Sequence, residues 1–110
     1  MSKLNLVRPQ GVSILLGGKE YNLVYDFNAF ALLENSFGNL QKAFDSLGKN
    51  PKFGDILIFL EAGFSSNDNP PSKKVLGSYL TPQNVAGVVE LIGEALNIAM
   101  PQEEISKSKN

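Results

Sequence analysis

Cysteine and histidine are both missing from this chain. Without them there is no disulfide, no thiolate nucleophile, no zinc site built from the usual ligands and no imidazole base. An excess of charge of one sign is also lacking: ten basic and eleven acidic side chains leave a net charge of -1. Gripping nucleic acid through its phosphates requires a basic field. Lys73-Lys74 is the only adjacent basic pair, so nucleic acid is not an expected partner. No stretch approaches the roughly 20 apolar residues that cross a bilayer. Met1-Ser2-Lys3-Leu4 has one lysine and no apolar segment of the signal-peptide kind. The expectation is a protein of the cytoplasm with no membrane partner.

The chain has 110 residues, of which 43% are hydrophobic and 19% charged. That suits one domain with its own core and is too apolar for a disordered chain. We expect an extended lead-in over 1–10, a single domain over 11–101 and a flexible polar tail over 102–110. The fold class expected is mainly α, four to five helices with one N-terminal β-hairpin.

The hairpin is read over 12–25. Val12, Ile14 and Leu16 alternate with Ser13 and Leu15, and Tyr21, Leu23 and Tyr25 alternate with Glu20, Asn22 and Val24. Gly17-Gly18 between them supplies the positive φ that tight two-residue turns demand. Two strands alone are marginal in water, so the apolar face must rest on helices. Asp26 is placed as an N-cap for a helix carrying Phe27, Phe30, Leu33 and Phe37, stopped by Gly38. Asn39 caps a second, short helix with Leu40, Ala43, Phe44 and Leu47, ending at Gly48 with Pro51 beyond. Ile56-Leu57-Ile58-Phe59-Leu60 is compatible with a buried strand or a helix. A helix of about ten residues closed by Gly63 is preferred, and its apolar residues on all sides make it central. The polar stretch 65–72, with Pro70-Pro71, is a loop. A short helix follows, carrying Val75, Leu76, Tyr79 and Leu80. Thr81-Pro82 starts the last helix, from about 82 to 100, where Pro101 blocks it.

The inventory for catalysis is thin. Glu90 and Glu94 lie one turn apart on a helix, which is the spacing of a solvated, mildly repulsive stripe rather than of an acid–base pair. Asp68 and Asn69 lack the alternating oxygen ligands of a calcium loop. Gly17-Gly18 lacks the spacing and the lysine of a phosphate cradle. Tyr21 and Tyr25 on one strand face are better explained by packing than by base stacking, since no basic stripe accompanies them. No catalytic, cofactor or metal residue is assigned.

The last helix carries more apolar surface than it needs. Gln83, Gly87, Glu90, Glu94 and Asn97 form a polar strip, while Val85, Val88, Val89, Ile92, Leu96 and Ala99 form the opposite face. Leu91, Ala95 and Ile98 widen that face to roughly 200°, twice the stripe that a surface helix requires. Burial between two neighbours in the same domain is the more economical reading. The other is a partner-binding flank centred on Leu91 and Ile98, with Val88 and Ala95 beside them.

The order of these motifs is similar to that of a known family. Val12-Ser13-Ile14-Leu15-Leu16-Gly17-Gly18-Lys19-Glu20-Tyr21-Asn22-Leu23, then Asp26-Phe27-Asn28-Ala29-Phe30 and Leu33-Glu34, resembles the start of phage tail assembly chaperones of the gene-transfer-agent and Gram-positive prophage type. The final helix opening at Thr-Pro is similar too. The resemblance covers 11–64 closely and 81–100 loosely, and its motifs are turn and cap chemistry of moderate specificity. It implies a helical protein that binds the tail tape-measure protein, and in some members tail-tube subunits, during assembly and is absent from the mature virion. It also implies a longer frameshifted form, for which the polar end from Ile105 to Asn110 is a suitable junction. The family has no catalytic residues to carry over. The mechanism implied is shielding of apolar stripes on an aggregation-prone helical partner. A head–tail connector or minor tail component retained in the particle is the alternative, and an adaptor for a host protein is a third. Self-association of the chain is left open.

Overall fold

The computed structural model describes residues 4–100. Five helices follow one hairpin: β1 (Val12–Leu16), β2 (Lys19–Leu23), α1 (Phe27–Phe37), α2 (Leu40–Ser46), α3 (Phe53–Phe64), α4 (Lys73–Tyr79) and α5 (Val85–Ala99). The mainly helical class with an N-terminal hairpin is therefore the architecture of the chain. Residues 4–10 form neither helix nor strand and are exposed. The expected helix block at Pro101 and the polar tail lie outside the described residues.

The hairpin forms where alternation and glycine place it. Gly17 (φ 59°) and Gly18 (φ 83°) both take positive φ, the backbone of a primed turn whose twist matches its strands. The strands pair antiparallel, Val12 with Leu23, Ile14 with Tyr21 and Leu16 with Lys19. This register puts Leu23 and the inner side chains of β1 on the helices and leaves Ser13, Leu15 and Glu20 outside.

Caps set the helix starts. Asp26 Oδ1 accepts from the Ala29 N–H at 3.0 Å, Asn39 Oδ1 from Lys42 at 2.8 Å and Ser72 Oγ from Val75 at 3.2 Å, each satisfying a donor with no intrahelical partner. Gly38 ends α1, its N–H donating to the Glu34 carbonyl at 2.8 Å. The last helix begins later than 82. Residues 81–84 form a capping turn in which Thr81 N–H donates to Asn84 Oδ1 (2.8 Å) and Asn84 N–H donates to Thr81 Oγ1 (3.3 Å). Asn84 thus takes the part that Glu or Gln plays in a capping box.

α3 is the centre of the molecule. Ile56, Phe59, Leu60, Ala62, Gly63 and Phe64 are buried within it, and it packs on α1, α4, α5 and β2. The ambiguous apolar run is therefore helix, extended at both ends beyond the expected ten residues. Gly63 does not close it. A Cβ there would collide with Leu23 and stand 2.9 Å from Cζ of Tyr25, so glycine lets the hairpin lie against the helix. Tyr25 completes the joint, its hydroxyl donating to the Phe59 carbonyl at 2.7 Å in a buried setting. One buried cluster draws on all five helices and β2. Phe27, expected on the apolar side of α1, is 90% exposed. Ala29 and Leu33 are the residues that α1 buries.

Candidate partner-binding surface

The four residues singled out on the last helix divide into two pairs. Ala95 is fully buried beside Ile92, and Val88 is partly buried and packed against the core. These two belong to the inner face of α5, as the economical reading expected. Leu91 is half-buried yet lies outside the residues packed on the core, and Ile98 is 50% exposed. Seven residues apart, Leu91 and Ile98 share one line along the helix within about 20°, turned away from Ile92. Glu90, Glu94 and Gly87 are exposed next to them. The open flank is thus a narrow apolar line with a carboxylate border.

Two further apolar hollows adjoin α5. One, about 170 Å³, opens between α3, α4 and the start of α5, among Phe53, Leu57, Leu80, Pro82 and Val85. Phe53 stands on its rim, largely exposed. The other, about 260 Å³, lies between Phe44 and Leu47 of the α2 end and Leu96 and Met100 of α5. Neither was legible in the sequence, because residues 23 to 32 positions apart in the first and 49 to 56 in the second meet only through the packing of helices. A larger groove of mixed lining, about 830 Å³, runs between polar Arg8, Asp26, Asn28 and Asn67 and apolar Val24 and Leu32. Within it Asp26 is engaged twice, capping α1 through Oδ1 and accepting from the Ser66 hydroxyl through Oδ2.

The tyrosines serve the fold. Tyr21 meets Phe64 edge-on at 5.8 Å between centroids and carries the Lys19 ammonium over its ring at 5.5 Å. Burial drives the Tyr25 phenol far above its ordinary range, because desolvation penalises the phenolate. No charged side chain is buried among the described residues. Among those residues no group of three or more acidic, histidine or cysteine side chains is arranged to hold a metal ion. Glu90 and Glu94 are both exposed on α5. No helix among the described residues is long and apolar enough to cross a membrane.

No family model matches the sequence, and no curated protein and no solved structure matches it either.

Proposed function

We propose that the protein is a small helical binding protein of the tail assembly chaperone kind, working in the cytoplasm of a bacterial host. In this reading it covers apolar stripes on the tail tape-measure protein, and on tail-tube subunits, during assembly and then departs. The observation that carries the reading is the Leu91–Ile98 line, half-buried at Leu91 and 50% exposed at Ile98, which lies outside the residues packed on the core. A helical partner with an apolar stripe and basic flanks would lay its stripe on that line and its cations beside Glu90 and Glu94.

Magnitudes make the contact weak. Each large apolar side chain contributes about 1.5–3 kcal/mol when fully buried, before ordering costs. Two such anchors fall short of the roughly 8 kcal/mol of micromolar binding. Weak contacts suit a long partner that is covered at many points and must be released, since linked sites raise avidity without strengthening any one of them.

Co-expression with a tail tape-measure chain tests the reading. Wild-type protein should raise the soluble yield of that chain and co-purify with it, and Leu91→Asp or Ile98→Asp should abolish capture while the fold is kept. No gain in solubility counts against a chaperone. Detection in purified virions by mass spectrometry would favour a retained connector or minor tail component.

A further inference from the structure

The two edges of the hairpin are treated differently by the rest of the molecule. With a two-residue turn, Leu16 and Lys19 exchange hydrogen bonds, as do Ile14 with Tyr21 and Val12 with Leu23. The backbone polar groups of Asn22 and Glu20 on β2, and of Ser13 and Leu15 on β1, therefore point out of the sheet. Two contacts agree with that parity. The Asn67 amide pairs with both the N–H and the carbonyl of Asn22, and the Val24 N–H donates to the Gly63 carbonyl at 2.8 Å. The β2 edge is thus covered from Asn22 to Val24, which deters a further strand there.

The β1 edge has no such backbone partner, although α5 packs against this strand. Val12–Leu16 carries no charge and no proline, and the sheet holds only two strands. Among the described residues nothing meets the outward N–H and carbonyl groups of Ser13 and Leu15. Leu15 is 69% exposed, and Val12, Ile14 and Leu16 are only partly buried although they pack on the core.

We propose that this edge pairs with the same edge of a second copy. Two β1 strands would run antiparallel about a twofold axis at Ile14, giving a continuous sheet in the order β2–β1–β1–β2. The strand's own geometry selects this occupant. With Ile14 facing its counterpart, Ser13 stands opposite Leu15 of the second copy, and these are the residues whose polar groups point outward. Each such pair exchanges both of its backbone hydrogen bonds, so no outward group of β1 is left over. A twofold axis sets a surface against itself; no side chain of β1 is itself charged, and the nearest carboxylate, that of Glu20, accepts from the Ser13 hydroxyl. The chain's own N-terminal segment does not serve, because Arg8 and Pro9 lie beside Asn22 and Val24, on the β2 side. The inference is independent of the proposed function.

Sedimentation of the full chain over a wide concentration range should show a monomer–dimer equilibrium. Leu15→Lys, at an exposed position, should weaken the dimer about tenfold or more with an unchanged circular dichroism spectrum. The chain has no cysteine, so the register can be read by oxidation. A mixture of Ser13→Cys and Leu15→Cys chains should give the linked heterodimer in clear excess over either linked homodimer, because opposed Cα atoms about 5.5 Å apart suit a disulfide. If Leu15→Lys unfolds, that cross-linking preference decides alone. A chain that stays monomeric throughout, a dimer that a folded Leu15→Lys leaves intact, or cross-linking without the 13–15 preference overturns the proposal.

Discussion

The side-chain amide of Asn67 pairs with the backbone of Asn22, accepting from its N–H at 2.9 Å and donating to its carbonyl at 2.7 Å. The same amide nitrogen also donates to the Phe64 carbonyl at 3.0 Å. A loop residue thereby acts as one rung of a third strand and ties β2 to the end of α3. Asn67→Ala should cost about 1 kcal/mol in denaturant unfolding, the net worth of hydrogen bonds at a site that water can reach. Exchange of the Asn22 amide hydrogen should quicken at the same time. An unchanged exchange rate there would remove the rung from the account.

Tyr25 gives stability a dependence on alkaline pH. Its folded pKa is raised by burial above the ordinary 10.0. Its contribution is therefore fully present below that value and lost as pH rises above it, at up to about 1.4 kcal/mol per pH unit while the unfolded chain alone ionises. Tyr25→Phe should flatten that decline. At neutral pH the variant should lose about 1 kcal/mol with the bond to Phe59. Urea titrations at neutral and strongly alkaline pH check both signs.

Glycine-to-alanine changes in two helices should differ in sign. Gly63→Ala forces a methyl group into Leu23 and Tyr25 and should destabilise by about 1–3 kcal/mol, as overpacking does. Gly93→Ala on α5 meets nothing within 4 Å and should stabilise by up to about 1 kcal/mol through helix propensity. Thermal melts of the two variants against wild type read the difference directly.

Phe27 and Leu33 share α1 and differ in what covers them. Leu33→Ala removes a fully buried side chain and should cost about 2–5 kcal/mol. Phe27→Ser should change stability by less than about 0.5 kcal/mol, since the ring is almost wholly in solvent. A large loss in Phe27→Ser would mean that the ring is packed in solution.

Much of the framework was legible because it is local chemistry. Asp26, Asn39 and Thr81 can be read as caps, and Gly17-Gly18 as a turn, since each satisfies or bends backbone within about four residues of itself. The helix over Ile56 to Leu60 was harder to read. A helix covered on all sides has apolar residues all round, and its periodicity fades into that of a buried strand. Gly63 was misread as a stop for a related reason: glycine suits a helix end and a close approach equally well, and only the position of Tyr25 tells them apart.

By itself the sequence determined where the chain turns, where α1 and α2 start and how much apolar surface the last helix carries. Only tertiary structure decided which part of that surface is used. Ala95 and Val88 meet the core, while Leu91 and Ile98, equally apolar on the helical wheel, stay outside it. Local hydrogen bonding is settled by neighbours along the chain. Burial is settled by whichever distant element lies across the way, and for α5 these are α3 and β1.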